Sequence, residues 1–528
     1  MRVMNNEILA LERIIKTLNK TLNLSKGREQ KEKSRTRVLK DEVKELKNIY
    51  KKAEQENKKA REELEKENKK LKKKVKAQAE KIASLKKNSS TSSIKGSSEI
   101  VKPKKAKKKG KGKRKKGGQK GHKRHIRKDF TSDEIDENID YILSACPDCN
   151  GVLELQADGI VKVQQVELVE KPIEVTEHTS YTFWCVNCQK FHTTQIPGEI
   201  KNSGLCGPRL MALIAFLKAG LHASFNSIRV FLRDVFGIKF AKSFIYKLIR
   251  KTSLALLGPY EELLNQIPLE TKLNVDETGH KNNGERFWTW CFRAQLFVLF
   301  RIKKNRSSKI LIETLGTNFK GIIGCDYFSA YRKFMKDFNI TIQFCLAHLI
   351  RDIRFLTTLP NKKEKEYGKK LLAKIKELFK LIHDNEEKAV EGFKEKLIQI
   401  KKEFLDIGIN KVPLEYNTKG KEKKSKSRNL YIRFKKHGDE FFQFITSPEM
   451  DPTNNIAEQA IRFIVIDRHI TQGTRSEDGM ENNERIWTVM GTCAIQGKSA
   501  YQFIKSAIKA AFNPALQAPT LIPIYDSD

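Results

Sequence analysis

The sequence predicts a multidomain α+β protein, and three observations predict it. Apolar residues repeat in heptads near the N-terminus, two CxxC pairs follow, and the second half alternates apolar strand-like runs with amphipathic helices. At 528 residues the chain is too long for one core, since a domain takes about 150 residues. A hydrophobic fraction of 39% supplies cores, but not over the whole length. The formal net charge of +39 and a pI near 9.7 point to a polyanionic partner, nucleic acid first. Met1–Lys16 mixes Asn, Glu, Arg and Lys with its apolar residues, unlike a secretory signal. No run approaches the ~18 apolar residues of a membrane span. These features predict a cytoplasmic protein without a membrane partner, its nine cysteines mostly reduced.

In chain order, residues 1–87 read as a coiled coil. Leu39, Val43, Leu46, Tyr50, Ala53, Asn57, Ala60, Leu64, Glu67 and Leu71 alternate four- and three-residue steps, with Asn57 and Glu67 as polar seam positions. The step from Leu71 to Val75 is again four, so a local stutter is expected before Gln78, Ile82 and Leu85. The seam predicts a homo-oligomer, at least a dimer; a single solvated charged helix is the alternative. Residues 88–135 form a linker. Asn88–Ser98 is rich in Ser and Thr, and Val101–Lys128 holds sixteen Lys or Arg in twenty-eight residues with no acid. Such a block cannot collapse by itself, and DNA phosphates would neutralise it without any sequence being read. Nuclear import or RNA binding fits the same composition.

Cys146, Cys149, Cys185 and Cys188 make two CxxC pairs with thirty-five residues between them. Four thiolates complete a closed tetrahedral Zn2+ site, so residues 136–200 read as a zinc ribbon, with Val161–Val175 as its strands; a redox dithiol or unrelated core cysteines are the alternatives. Residues 201–265 hold three helical runs: Pro208–Leu221, Ser227–Phe236 and, after Gly237, a basic one from about Ser243 through Lys251. Lys242, Lys247, Arg250 and Lys251 line its outer side. Helix, glycine turn and basic helix is the order of a helix-turn-helix DNA reader, and equally of a plain helical hairpin.

The chemistry falls in residues 266–480. Leu273–Asp276 reads as a buried strand ending in an acid. Successive strand residues point oppositely, so Asp276 and Glu277 cannot serve one site. Arg286–Arg293 and Leu296–Lys303 are further strands, Lys309–Leu315 a helix, and Gly321–Asp326 another strand with an acid at its end. Thr341–Phe344 then leads through Cys345 and His348 into a helix. Three strands, a helix, then strand and helix again is the order of an RNase H-type mixed sheet. In Asp451–Arg462, Ala457, Ala460, Ile461 and Ile464 mark the buried face of a helix, with Asn454, Glu458 and Arg462 at i, i+4, i+8 beside it. Spacing alone makes Glu458 and Arg462 an ordinary exposed pair worth about 0.2–0.5 kcal/mol. Two aspartates and a glutamate together make a hard oxygen site suited to two Mg2+ or Mn2+ ions. Cys345 and His348 are half a metal site, so a structural or DNA-contacting role is open for His348. Arg462 suits a phosphate contact.

With these stretches assembled, the chain resembles bacterial transposases of the insertion-sequence family numbered sixty-six. The similarity rests on Val275–Thr278, Cys325–Tyr331, Cys345–Asp352 and Asp451–Arg462, with Lys87–Ser90, Gly117–His122, the CxxC pairs and the helix-turn-helix, and so runs through nearly the whole chain. The one departure is Lys120, where the family usually has proline. The resemblance implies that Asp276, Asp326 and Glu458 are the catalytic metal ligands of an RNase H-like DDE domain. A helical insertion at about 355–447 accounts for most of the 132 residues from Asp326 to Glu458 (458 − 326), and residues 481–528 form a C-terminal helical segment. It implies strand cleavage and strand transfer on double-stranded DNA, both transposon ends and target. A nuclease without joining activity and a non-catalytic DNA-binding regulator are the rival readings.

Overall fold

The computed structural model describes residues 2–24, 31–85, 130–139, 147–148, 150, 163–166, 168–169, 172–185, 187 and 190–522 other than 388, 417 and 419. The basic block Val101–Lys128 lies outside the described residues, as do Cys146, Cys149 and Cys188.

Helices α1 (Arg2–Leu24) and α2 (Lys31–Leu85) come first, then strands β1 (Thr182–Cys185) and β2 (Lys190–Thr193). Five helices follow: α3 (Gly198–Ser203), α4 (Pro208–Ala219), α5 (Phe225–Phe236), α6 (Lys242–Ala255) and α7 (Leu257–Gln266). Next come β3 (Lys272–Asn282), β4 (Glu285–Arg293), β5 (Val298–Lys303), α8 (Ser308–Leu315), β6 (Ile322–Cys325), α9 (Ser329–Phe338), β7 (Ile342–Phe344) and α10 (Leu346–Leu356). The insertion supplies α11 (Lys362–Glu387), α12 (Phe393–Asn410) and α13 (Lys426–His437), and the chain closes with α14 (Asn455–Thr471), α15 (Glu477–Ile495) and α16 (Ala500–Phe512). The strand order of the main sheet is β5-β4-β3-β6-β7.

The chain divides into two compact units. One comprises Met1–Gly96, Gly324–Phe328 and Thr341–Asn454, the other Ser97–Ile323, Ser329–Ile340 and Asn455–Asp528.

In the first unit α1 packs along the N-terminal part of α2, where Val43 is buried and the Tyr50 hydroxyl donates to Glu12 Oε1 at 2.5 Å. The heptad seam is thus covered in part by the chain's own first helix. Its later apolar positions, Leu64, Leu71, Val75 and Ile82, are exposed. The insertion helices α11, α12 and α13 enclose Phe404, Phe434, Phe441 and Phe442. Helix α12 meets α13 at Gly408, where a Cβ would stand 2.6 Å from the Phe434 ring.

The second unit is built on the antiparallel meander β3-β4-β5. Asn283 and Gly284, at φ 49° and 83°, supply the two-residue turn between β3 and β4. Strand β5 is an edge, and α15 seals it. Ile302, Phe300 and Val298 donate their backbone N–H groups to Glu484 Oε1, Thr488 Oγ1 (3.1 Å) and Thr492 Oγ1 (3.2 Å). Alternate strand donors therefore match an i, i+4, i+8 stripe on a helix, and buried backbone groups that lack a strand neighbour are satisfied. Helices α4, α6, α15 and α16 pack together beside this sheet.

Strands β1 and β2 pair antiparallel, with Cys185, the last residue of β1, opposite Lys190. Among the described residues of Val161–Val175 no strand forms, and pairing occurs further on. A period-2 apolar pattern marks a strand only when a partner lies beside it. No helix among the described residues is long and apolar enough to cross a membrane.

Candidate active site

Strand β3 carries two adjacent acids and sends them to opposite faces. Asp276 pairs across to Cys291 and Glu277 to Trp290, and both carboxylates are buried, at 1% and 0% exposure. Glu277 accepts from Arg306 Nε at 2.7 Å, from the other guanidinium nitrogen of Arg306, and from the Tyr331 hydroxyl. That carboxylate holds Arg306 and α9 against the sheet. Asp276 shares its face with Thr278 and His280, and helix α14 packs on that strand. Arg468 of α14 donates to Thr278 Oγ1 at 3.0 Å and to the Gly279 carbonyl, two and three residues past Asp276. Contrary to expectation, Asp276 is the fifth residue of an eleven-residue strand, not its end. The polar run Glu277–Asn282 continues the strand because β4 pairs with it residue by residue, from Thr278 opposite Thr289 to Asn282 opposite Glu285, and Thr474 borders its far end: Thr474 N–H donates to the Lys281 carbonyl and Asn283 N–H to that of Thr474, both at 2.9 Å. Local polarity suggests an end, and pairing across the hairpin overrides it.

Helix α14 brings Glu458 in its first turn, half-buried, where the helix dipole favours a carboxylate; Arg462, one turn on, is exposed. Nine residues at about 100° each place Asp467 on the opposite side of the helix. There Asp467 accepts from Thr471 Oγ1 at 3.0 Å and lies 3.9 Å from Lys218 Nζ, buried on α4, and 3.5 Å from Nδ1 of the half-buried His222 just beyond that helix. Burial lowers the Lys218 pKa and Asp467 opposes that shift. Helix α14 is thus gripped on one side by Arg468 to β3 and on the other by Asp467 to α4, which sets the rotation at which Glu458 is presented.

In the other unit, Asp326 follows β6 directly, a strand-end acid as expected. Its Oδ1 accepts the Phe328 N–H at 3.1 Å, the local turn an aspartate makes with its own backbone. The next residue, Tyr327, anchors that turn in the insertion. Its ring lies 4.9 Å from Phe344 and 5.8 Å from His437, and the Arg433 guanidinium sits 4.4 Å over it. Arg433 also donates to Asp352 at 2.9 Å. Cys345 and His348 are both buried, with ligand atoms within 4.8 Å of each other. The Cys345 sulfur accepts the Asn454 N–H at 3.2 Å, and Leu346 N–H donates to the Pro452 carbonyl at 2.9 Å, so the segment entering α14 is tied to the start of α10.

Of the basic residues of α6, Lys242 and Lys247 are exposed, while Arg250 pairs with Asp478 at 3.1 Å. Lys251 is half-buried and donates to the Asn202 and Ser203 carbonyls, with the Phe512 ring 5.1 Å away. Cys185 closes β1, and its three CxxC partners lie outside the described residues.

Asp276 and Glu458 therefore come from packed elements of one unit, and Asp326, Cys345 and His348 belong to the other. As a donor set, carboxylates suit Mg2+ or Mn2+. The residues that orient these acids, Arg306, Tyr331, Arg468, Asp467, Tyr327 and Arg433, were not singled out from sequence. Their partners stand up to 250 residues away (467 − 218 = 249), beyond the reach of any local pattern.

Residues 203–482 match the sequence profile described as Transposase IS66 family. An uncharacterised protein, y4hP of Sinorhizobium fredii (strain NBRC 101917 / NGR234), is 21% identical over 432 residues, which cover 76% of this chain and 77% of its own.

Proposed function

The chain belongs to the IS66 transposase family, and on that premise we propose that it is a DDE transposase that binds the ends of its element, cleaves there and joins the freed 3′-hydroxyl to target DNA. Asp276, Asp326 and Glu458 are the residues that would hold two Mg2+ or Mn2+ ions. Bound divalent ions supply Lewis acidity for in-line displacement at phosphorus, first by water and then by a 3′-oxygen, with no covalent enzyme intermediate. The protein's part is to hold three carboxylates in fixed directions. The observation that carries the reading is that α14, with Glu458 in its first turn, packs on the strand that bears Asp276 and is held there by Arg468. Glu277 is excluded from this role because its oxygens already serve Arg306 and Tyr331.

The remaining parts follow as roles in the same reaction. The exposed side of α6, with Lys242, Lys247 and Arg250, reads end sequence in the manner of a helix-turn-helix. The zinc ribbon of Cys146, Cys149, Cys185 and Cys188 supports it, and Val101–Lys128 adds sequence-independent affinity. Arg462 contacts a phosphate beside the acids, and His348 with Cys345 keeps the start of α10 in place. The exposed seam of α2 pairs two copies, because two ends are processed together. The protein works in the cytoplasm on the nucleoid.

The test uses the purified full chain, end DNA and Mg2+. Asp276→Asn, Asp326→Ala and Glu458→Gln each reduce end cleavage by about 10³-fold or more with end binding retained, the scale of losing a transition-state interaction of about 4 kcal/mol. Unchanged strand transfer in Asp326→Ala overturns the enzyme reading and leaves a DNA-binding regulator. A pre-nicked end that is hydrolysed but never joined makes the protein a nuclease.

A further inference from the structure

Resting on the transposase reading, we infer that the sheet face on the Glu277 side, around Trp288, is a docking surface for the sugar-phosphate backbone of duplex DNA. Residues paired across antiparallel strands share a face, so the registers Lys281 to Arg286 and Trp288 to Lys303 put three cations beside one indole. Arg306 joins them from the segment after β5. The guanidinium carbons of Arg286 and Arg306 lie 4.6 and 4.8 Å from the Trp288 ring centroid. The Arg306 fork is bonded to Glu277; an indole beside the Arg286 guanidinium restricts its rotamers and leaves its N–H groups to grip phosphate.

The charge on this face is not balanced from within. Along β3 and β4 its only acid is Glu277, which is buried and already paired with Arg306. Glu285, near the turn, sits in register with Asn282 on the other face and pairs with Lys304 at 3.1 Å. Lys281 and Arg286 are thus like charges directly opposite one another, an arrangement that destabilises a sheet by itself. Both are exposed, and Lys303 and Trp288 are half-exposed. A polyanion laid across the strands removes that repulsion. The contacts are point charges and guanidinium forks on a flat surface, so they position DNA and read no bases.

The experiment is an acetylation footprint of the full chain, with and without a random-sequence DNA duplex. Lys281 and Lys303 are expected to react about fivefold more slowly or less in the complex, with protection lost at high salt as counterions return to the DNA. The double variant Arg286→Ala/Lys303→Ala is expected to lower the slope of log affinity against log salt by about 1.8, two contacts at about 0.9 each, equally for end and random sequences. Full reactivity of both lysines in saturated complex overturns the inference, as does an unchanged slope. Protection by duplex RNA but not by duplex DNA overturns the assignment to DNA. If Asp276→Asn abolishes cleavage while both lysines stay reactive, the transposase reading stands and this surface falls. If both lysines are protected in a chain that never cleaves its end DNA, the surface stands and the transposase reading falls.

Discussion

His280 makes the stability of the site's scaffold depend on pH in a calculable way. Its ring is buried at 3% exposure on the Asp276 face of β3, edge-on to Trp487 at 6.3 Å. The Thr474 hydroxyl donates to Asn282 Oδ1 at 2.9 Å, so it accepts from His280 Nε2 at 3.0 Å, and the neutral ring carries its proton there. Charging the ring puts a proton on Nδ1 in an apolar site. Burial, and then the neighbouring Arg468, push the pKa down to about 4. Unfolded, the group titrates near 6.5, so the unfolded chain takes up the proton first as pH falls. The stabilisation is therefore complete above about pH 6.5 and is lost as pH drops toward 4. A shift of about 2.5 units amounts to about 3 kcal/mol in full, of which about 2 kcal/mol is lost between pH 7 and pH 5. His280→Gln keeps an N–H donor for Thr474 and cannot titrate. The assay is hydrogen exchange of the β3 amides, corrected for intrinsic rates, since the opening of one segment is the relevant equilibrium in a chain of two units. Protection in the parent should fall about 20-fold more than in His280→Gln over that range. Parallel profiles for the two proteins would refute the reasoning.

Thr488→Val is isosteric but removes the acceptor of the buried Phe300 N–H, and a loss of about 1–3 kcal/mol is expected in denaturant unfolding. Burial raises the carboxyl pKa of Glu484, so its contribution is complete below the unfolded value near 4.3 and declines as pH rises through the higher folded value. Glu484→Gln, measured the same way, should remove that decline. Arg468→Ala deletes both bonds from α14 to β3 and one of the two causes that depress His280. Exchange of the β3 amides should quicken, and their further loss of protection below about pH 6.5 should be smaller and end at a higher pH, because the folded His280 pKa moves toward the unfolded one. An unchanged midpoint would show that burial alone sets the His280 proton.

Much of this molecule is a matter of short-range pattern. The two-residue turn Asn283–Gly284 between apolar strands, the N–H of Phe328 folding back on Asp326, and the apolar face of α14 each follow from residues within a few positions of one another. Period, turn chemistry and charge are local properties, so they were legible from the order of residues: three strands, the helix between β5 and β6, and three acids set in apolar context. What each acid does was decided by residues far along the chain. Asp276 reads as a strand end because the residues after it are polar, whereas pairing with β4 carries the strand on to Asn282 and Thr474 caps its far end. Glu277 is sequestered by Arg306 and Tyr331, 29 and 54 residues on. The rotation of α14 depends on Lys218 of α4 and His222 just past it, and the edge of β5 on a stripe of α15 some 190 residues away. A buried polar group takes whatever partner packing brings within about 3 Å, and sequence separation has no bearing on which one that is.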